Sequence, residues 1–152
     1  MKALAALCCM AISAAPPLAA QDEAGAVMAV IDRLFDGMRA GDSAMARSAF
    51  TDDAKLYRAQ ANGLSGNGID GLIRAIGTPH DSVWDEVLWD SEIHIDGPLA
   101  TVWTKYAFYV GPRFSHCGVD SIQLYRGADG WKIFWIVDTQ RREGCDTPPG
   151  RA

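Results

Sequence analysis

Apolar side chains in the first part of the chain recur at helical spacing. Val27, Ile31, Leu34 and Met38 stand at i, i+4, i+7 and i+11, with Phe35 beside them. They form one stripe on a helix from about Asp22 to Ala40. Asp22 and Glu23 would occupy its first turn, where the helix dipole favours negative charge, and Gly41 ends it. Asp42 or Ser43 can cap a short second helix whose apolar residues are Met45, Ala46, Ala49 and Phe50. A short strand at Ala54–Gln60 and a Gly- and Asn-rich loop at Ala61–Gly68 lead to a third helix near Ile69–Ile76. Gly77-Thr78-Pro79 stops that helix.

From Val83 onward the pattern is that of strands. Val83–Asp96, Leu99–Val110, Val119–Arg126 and Trp131–Arg141 are rich in Val, Ile, Trp, Tyr and Phe. Asp96-Gly97 and Gly127-Ala128-Asp129-Gly130 read as hairpin turns. Helices first and a meander of long strands afterwards predict an α+β domain: a curved, mainly antiparallel sheet wrapped around the first helix as an open-ended cone with a pocket.

Alternation along the strands assigns faces. Lys105 outward takes Trp103 and Ala107 with it and sends Val102, Thr104, Tyr106 and Phe108 to the concave face. On the next strand Ile122 and Leu124 share their parity with Asp120 and, if the extension continues, His116. Tyr106, His116 and Asp120 then stand in an apolar wall. A buried Asp near a His has shifted titration and suits general acid–base work, with Tyr106 as an oxyanion donor. The bland alternative is that His116 anchors the 111–118 loop and Asp120 is a satisfied acceptor. On the last strand, Lys132 outward puts Trp131, Ile133, Trp135, Val137, Thr139 and Arg141 inside. Phe134 and Ile136 then lie outside, where a partner subunit would cover them. Asp138 is either a pocket residue or a partner of Arg141 or Arg142. Trp84 and Trp89, five apart, fall on opposite faces.

Composition narrows the class. With 49% apolar and 22% charged residues in 152, the chain fits one globular domain. Lys plus Arg number 14 against 19 Asp plus Glu, the wrong sign for a nucleic-acid binder. Met1–Ala20 reads as a secretory signal: Lys2, an apolar run from Ala3 to Ala15, Pro16-Pro17, then small residues before Gln21. Cleavage after Ala20 would leave 13 basic and 19 acidic side chains, a balance of −6, on a single domain at 21–152 in the periplasm or outside the cell, with no membrane attachment. It would also remove Cys8 and Cys9. The remaining Cys117 and Cys145 invite a disulfide in an exported protein, because the Gly127–Gly130 turn sets Cys117 opposite about Gln140. Closing that loop would contribute roughly 3–4 kcal/mol.

Gly66-Asn67-Gly68-Ile69-Asp70-Gly71 matches a dinucleotide fingerprint, but no parallel strand follows to complete the βαβ unit that chemistry needs. His80, His94 and His116 lack zinc-ligand spacing, so no metal is expected, and no cofactor.

Three stretches carry a family resemblance: "VMAVIDRLFDGMRAGDSAMARSAFTDDAKLY", "ATVWTKYAFYV" and "HCGVDSIQLYRGADGWKIFWIVDTQR". Over roughly residues 24–142 the chain resembles the nuclear transport factor 2-like superfamily, which includes SnoaL-like cyclases, ketosteroid isomerases and scytalone dehydratases. The resemblance implies a curved sheet, a central pocket and dimerisation through the outer sheet face. It also brings Tyr57 toward the pocket. The expected ligand pocket is then Tyr57, Thr104, Tyr106, Phe108, Ile122 and Trp135, with His116 and Asp120 as acid and base. No carboxylate is placed at the base position of the isomerases. Three functions remain open: a small-molecule binder, an isomerase, dehydratase or cyclase working without a cofactor, and a non-catalytic association module with a filled cone.

Overall fold

The computed structural model describes residues 18–151. The expected signal segment lies outside the described residues except for Leu18–Ala20, which begin the first helix. That helix, α1, spans Leu18–Ala40, so Asp22 and Glu23 sit in its second turn rather than its first. Asp42 caps α2 (Ser43–Ser48), its carboxylate accepting from the Met45 amide at 2.9 Å. Then come β1 (Phe50–Gln60), β2 (Gly63–Gly68), α3 (Asp70–Gly77), β3 (Trp84–Asp96), β4 (Leu99–Val110), β5 (Arg113–Gly127) and β6 (Gly130–Thr139).

The strands form one sheet in the order β2-β1-β6-β5-β4-β3, antiparallel except for the β1–β6 pair. It curls around α1 without closing. Val27, Ile31 and Leu34 of the predicted stripe meet Val102, Ile122, Leu124 and Ile133 from the sheet, all at 1% exposure or less. The α+β cone is therefore the architecture, and α1 is its filling. Among the described residues no helix is long and apolar enough to cross a membrane.

Three departures from the sequence pattern have local causes. Residues 63–68 form an edge strand instead of a loop. Its side chains are all exposed, so only backbone pairing with β1 makes it a strand, and composition carries no trace of that. At Gly66 (φ +123°) a Cβ would stand 2.3 Å from the Leu56 carbonyl, which is why the edge tolerates only glycine there. This edge strand also accounts for the glycine-rich motif, since it runs antiparallel to its neighbour. β5 begins at Arg113, extending into the expected 111–118 loop.

The third departure matters most for the site. Gln123 faces Trp135 and Leu124 faces Ile133, so Phe134 is the extra residue of a β-bulge. Beyond it the alternation of β6 is inverted. Trp131 and Ile133 point inward as expected, but then Ile136 and Asp138 are buried while Trp135 is 36% exposed. Ile136 belongs to the core, not the outer face. The same slip sets Cys117 opposite Arg141 instead of Gln140. Cys117 and Cys145 are joined as a disulfide with Cα atoms 5.9 Å apart.

Candidate functional site

One register line crosses the inner face of the sheet. Arg58 of β1 pairs with Asp138 of β6, Asp138 with Asp120 of β5, and Asp120 with Thr104 of β4. Directly opposite residues share a face, so the row stacks a guanidinium, two carboxyls and a hydroxyl side by side. Glu86 of β3, opposite Phe108, adds a third carboxyl. Arg58, Glu86, Asp120 and Asp138 all line a cavity of about 90 Å³. Its other walls are apolar: Leu34, Phe35 and Met38 of α1, Leu56, Leu72 and Ile136.

The charges are unevenly compensated. Arg58 grips Asp138, with Nε donating to Oδ1 at 3.1 Å and Oδ2 at 3.0 Å and Nη2 donating to Oδ2 at 2.5 Å. Its remaining nitrogen, Nη1, donates to the Gln140 side chain. Among the described residues this fork consumes the only cation lining the cavity. Glu86 and Asp120 are left hydrogen-bonded to each other. Burial pushes the Asp120 carboxyl up to about 7, and the charge of Asp138 adds to the rise, while the Glu86 hydrogen bond and Arg58 oppose it. Burial, then the Asp120 charge, raise Glu86 well above the usual carboxylate range. Two carboxyls in contact inside a cavity cannot both ionise at low cost, so their titrations are linked and both are shifted upward.

The sequence-predicted residues divide around this cavity. Asp120 lines it. Thr104 is fully buried on the same face, but its hydroxyl is engaged by Ser91 at 2.8 Å. Tyr106 lies across Gly118 and donates its hydroxyl to the Thr139 carbonyl at 2.8 Å, so the donor expected for an oxyanion closes the backbone of β6 instead. Burial raises its phenol further. His116 stacks on Phe108 at 5.0 Å and meets Tyr106 edge-on at 5.8 Å, with Nδ1 3.0 Å from the Ser115 hydroxyl. Burial, then Arg58, lower its pKa. The hydrogen-bond partner of Asp120 is therefore Glu86, and His116 stands in an aromatic wall. Ile122 is core. Tyr57 and Trp135 are corrected: the β6 bulge puts Trp135 on the outer face, where its ring lies 5.1 Å from that of Tyr57. Trp84 faces inward, edge-on to Phe108.

Sequence reasoning missed Glu86 and Arg58 and left Asp138 open. Arg58 shared the parity of Leu56, which was the available signal. Among the described residues no group of three His, Cys, Asp or Glu side chains is arranged to hold a metal ion.

A family model described as "Putative lumazine-binding" matches residues 22–135. No curated protein matches the chain. Solved structures resemble it at low identity. An NTF2-like protein of unknown function from Shewanella baltica is 21% identical, with a TM-score of 0.65 over 81% of this chain and 97% of that one. An NTF2-like protein with a cystatin-like fold from Novosphingobium aromaticivorans is 12% identical, with a TM-score of 0.68 over 84% and 87%. A protein from Streptomyces avermitilis described as "a putative dehydratase from the NTF2-like family" is 16% identical, with a TM-score of 0.63 over 81% and 99%.

Proposed function

The chain belongs to this "Putative lumazine-binding" family, and from that premise we propose that its central cavity takes the polar head of a small molecule on which Glu86 and Asp120 act as an acid–base pair. The observation that carries the reading is that Glu86 and Asp120 line one small cavity whose other walls are mainly apolar. Folding gains little from such a pair, because each carboxyl costs desolvation that Arg58, committed to Asp138, offsets only in part. Chemistry gains both partners of a proton transfer poised near neutral pH. The neutral carboxyl protonates a carbonyl or a leaving hydroxyl, and the ionised one removes a proton from carbon. The pair ends the step holding the same number of protons as it began. Isomerisation and dehydration both fit that balance. Asp138, held in place by Arg58, adds its charge to the burial that raises Asp120.

The probes are small cyclic ketones, lactams and pteridines, lumazine among them. Compounds that raise the melting temperature of the wild type should lose at least tenfold in affinity with Glu86→Gln and Asp120→Asn. Hits that bind both variants as well as wild type would overturn the reading.

Export and dimerisation belong to the same proposal. The Cys117–Cys145 bond supports an oxidising compartment, and secreted protein should begin at Gln21 by mass spectrometry. The outer sheet face carries Trp103, 51% exposed, together with Trp135 and Tyr57. A homodimer through this face would cover it. Sedimentation should give a dimer for wild type and a monomer for Trp103→Glu.

A further inference from the structure

Phe35 and Glu86 each line two spaces. One is the central cavity, and the other is a groove of about 440 Å³ between α1 and the edge strand β3. The groove also touches Pro149, Gly150 and Arg151, the last described residues of the chain. This tail is held along its length. Cys145 is bonded to Cys117, Asp146 accepts from Lys105 at 3.1 Å, and Pro148 is buried. Arg151 pairs with Asp85 and lies 4.5 Å over the Tyr109 ring. The second oxygen of Asp85 accepts from Arg39 of α1 at 3.1 Å, so one carboxylate ties tail, edge strand and helix together. The tail thus crosses the outer side of β4 and β3 and reaches the edge where the groove opens.

We propose that the groove is an entrance to the carboxyl pair, with Phe35 and Glu86 as its inner partition and the disulfide-clasped tail Cys145–Arg151 as its outer wall, so that releasing the tail opens access to Glu86. A central cavity of about 90 Å³ is smaller than the ~150 Å³ that holds one benzene. A ring-sized molecule must therefore leave part of itself outside, and the groove beyond Phe35 has the room. The clasp also explains why the disulfide sits at the foot of the tail, remote from the α1 core. The inference uses the proposed function only in assigning Glu86 to an acid–base pair.

Access is measurable without a ligand. The full chain is treated with a water-soluble carbodiimide and glycine ethyl ester, and amide formation at each carboxyl is followed by peptide mass spectrometry. Cys145→Ser should speed labelling of Glu86 at least fivefold. Arg151→Ala, which keeps the disulfide, should speed it about twofold, and Asp138 should label at its wild-type rate in both. Phe35→Ala should extend labelling to Asp120. Unchanged Glu86 rates in both tail variants would overturn the entrance. So would a rise matched at Asp138, which marks loosening of the whole domain. Ligands that ignore Glu86→Gln while Cys145→Ser still exposes Glu86 would sink the proposed function and leave the entrance standing.

Discussion

The two ends of the cone are built on the same helix and the same sheet, yet they bury opposite things. At the end near the Gly127–Gly130 turn, Val27 and Ile31 of α1 face Ile122, Leu124 and Ile133, and every one of these side chains is fully buried. Two residues further along β5 the row changes to Asp120, Asp138 and Arg58, with Glu86 beside them. Each aliphatic chain of the first end stabilises the fold by about 1.5–3 kcal/mol. The second end costs desolvation and returns only the Arg58–Asp138 pair. A domain that already has a dry core gains no stability from three carboxyls. The difference between the ends therefore separates what folds the chain from what the proposed function uses.

That contrast can be broken by substitution. The largest effect belongs to the apolar end: Ile122→Ala should lower stability by roughly 2–5 kcal/mol in denaturant titration, equally near pH 5 and near pH 8. Arg58→Met should cost less, about 2–3 kcal/mol, and mainly near pH 8, because it strands Asp138 beside Glu86 and Asp120. Near pH 5 Glu86 and Asp120 take up protons and the loss shrinks. The wild type itself should lose stability, on the order of a few kcal/mol, as pH rises from about 5 to 8. The sign follows from linkage: Glu86 and Asp120 have raised pKa values in the folded state, so the native protein holds more protons than the unfolded chain until the pH passes their folded values. The smallest effect is Asp120→Asn, which should change stability by less than about 1.5 kcal/mol near pH 5 and flatten this pH dependence. A steep alkaline loss that survives Asp120→Asn and Glu86→Gln would place its origin elsewhere.

The bulges explain how much of this was legible. On β4 the alternation runs unbroken from Ala100 to Tyr106, and Val102, Thr104 and Tyr106 face inward as Lys105 predicts. β5 keeps phase with it, which is why Asp120 and Ile122 were placed correctly. On β6 the one extra residue, Phe134, reverses Trp135, Ile136, Val137 and Asp138 at once. Apolar residues stand at both parities of that strand, and Lys132 and Asp138 share one parity across the bulge, so spacing alone does not mark the slip. β3 hides Glu86 for a related reason: Asp85 and Glu86 are neighbours of opposite parity, and either could have been the outward one. Tyr106 and His116 were placed on the correct wall, but parity says nothing of where a hydroxyl or an imidazole finds its partner. The Thr139 carbonyl and the Phe108 ring took them.

The proposed function requires a proton held between Glu86 and Asp120 at neutral pH. Carbon-13 labelling of the Asp and Glu carboxyls, followed by NMR titration of wild type, Glu86→Gln and Asp120→Asn, measures it directly. Two coupled transitions should appear in the wild type, with one carboxyl still protonated near pH 7, and each variant should replace them with a single transition of the surviving partner. If both carboxyls instead ionise together in the ordinary range, near pH 4, the cavity holds two plain carboxylates and the acid–base reading is contradicted.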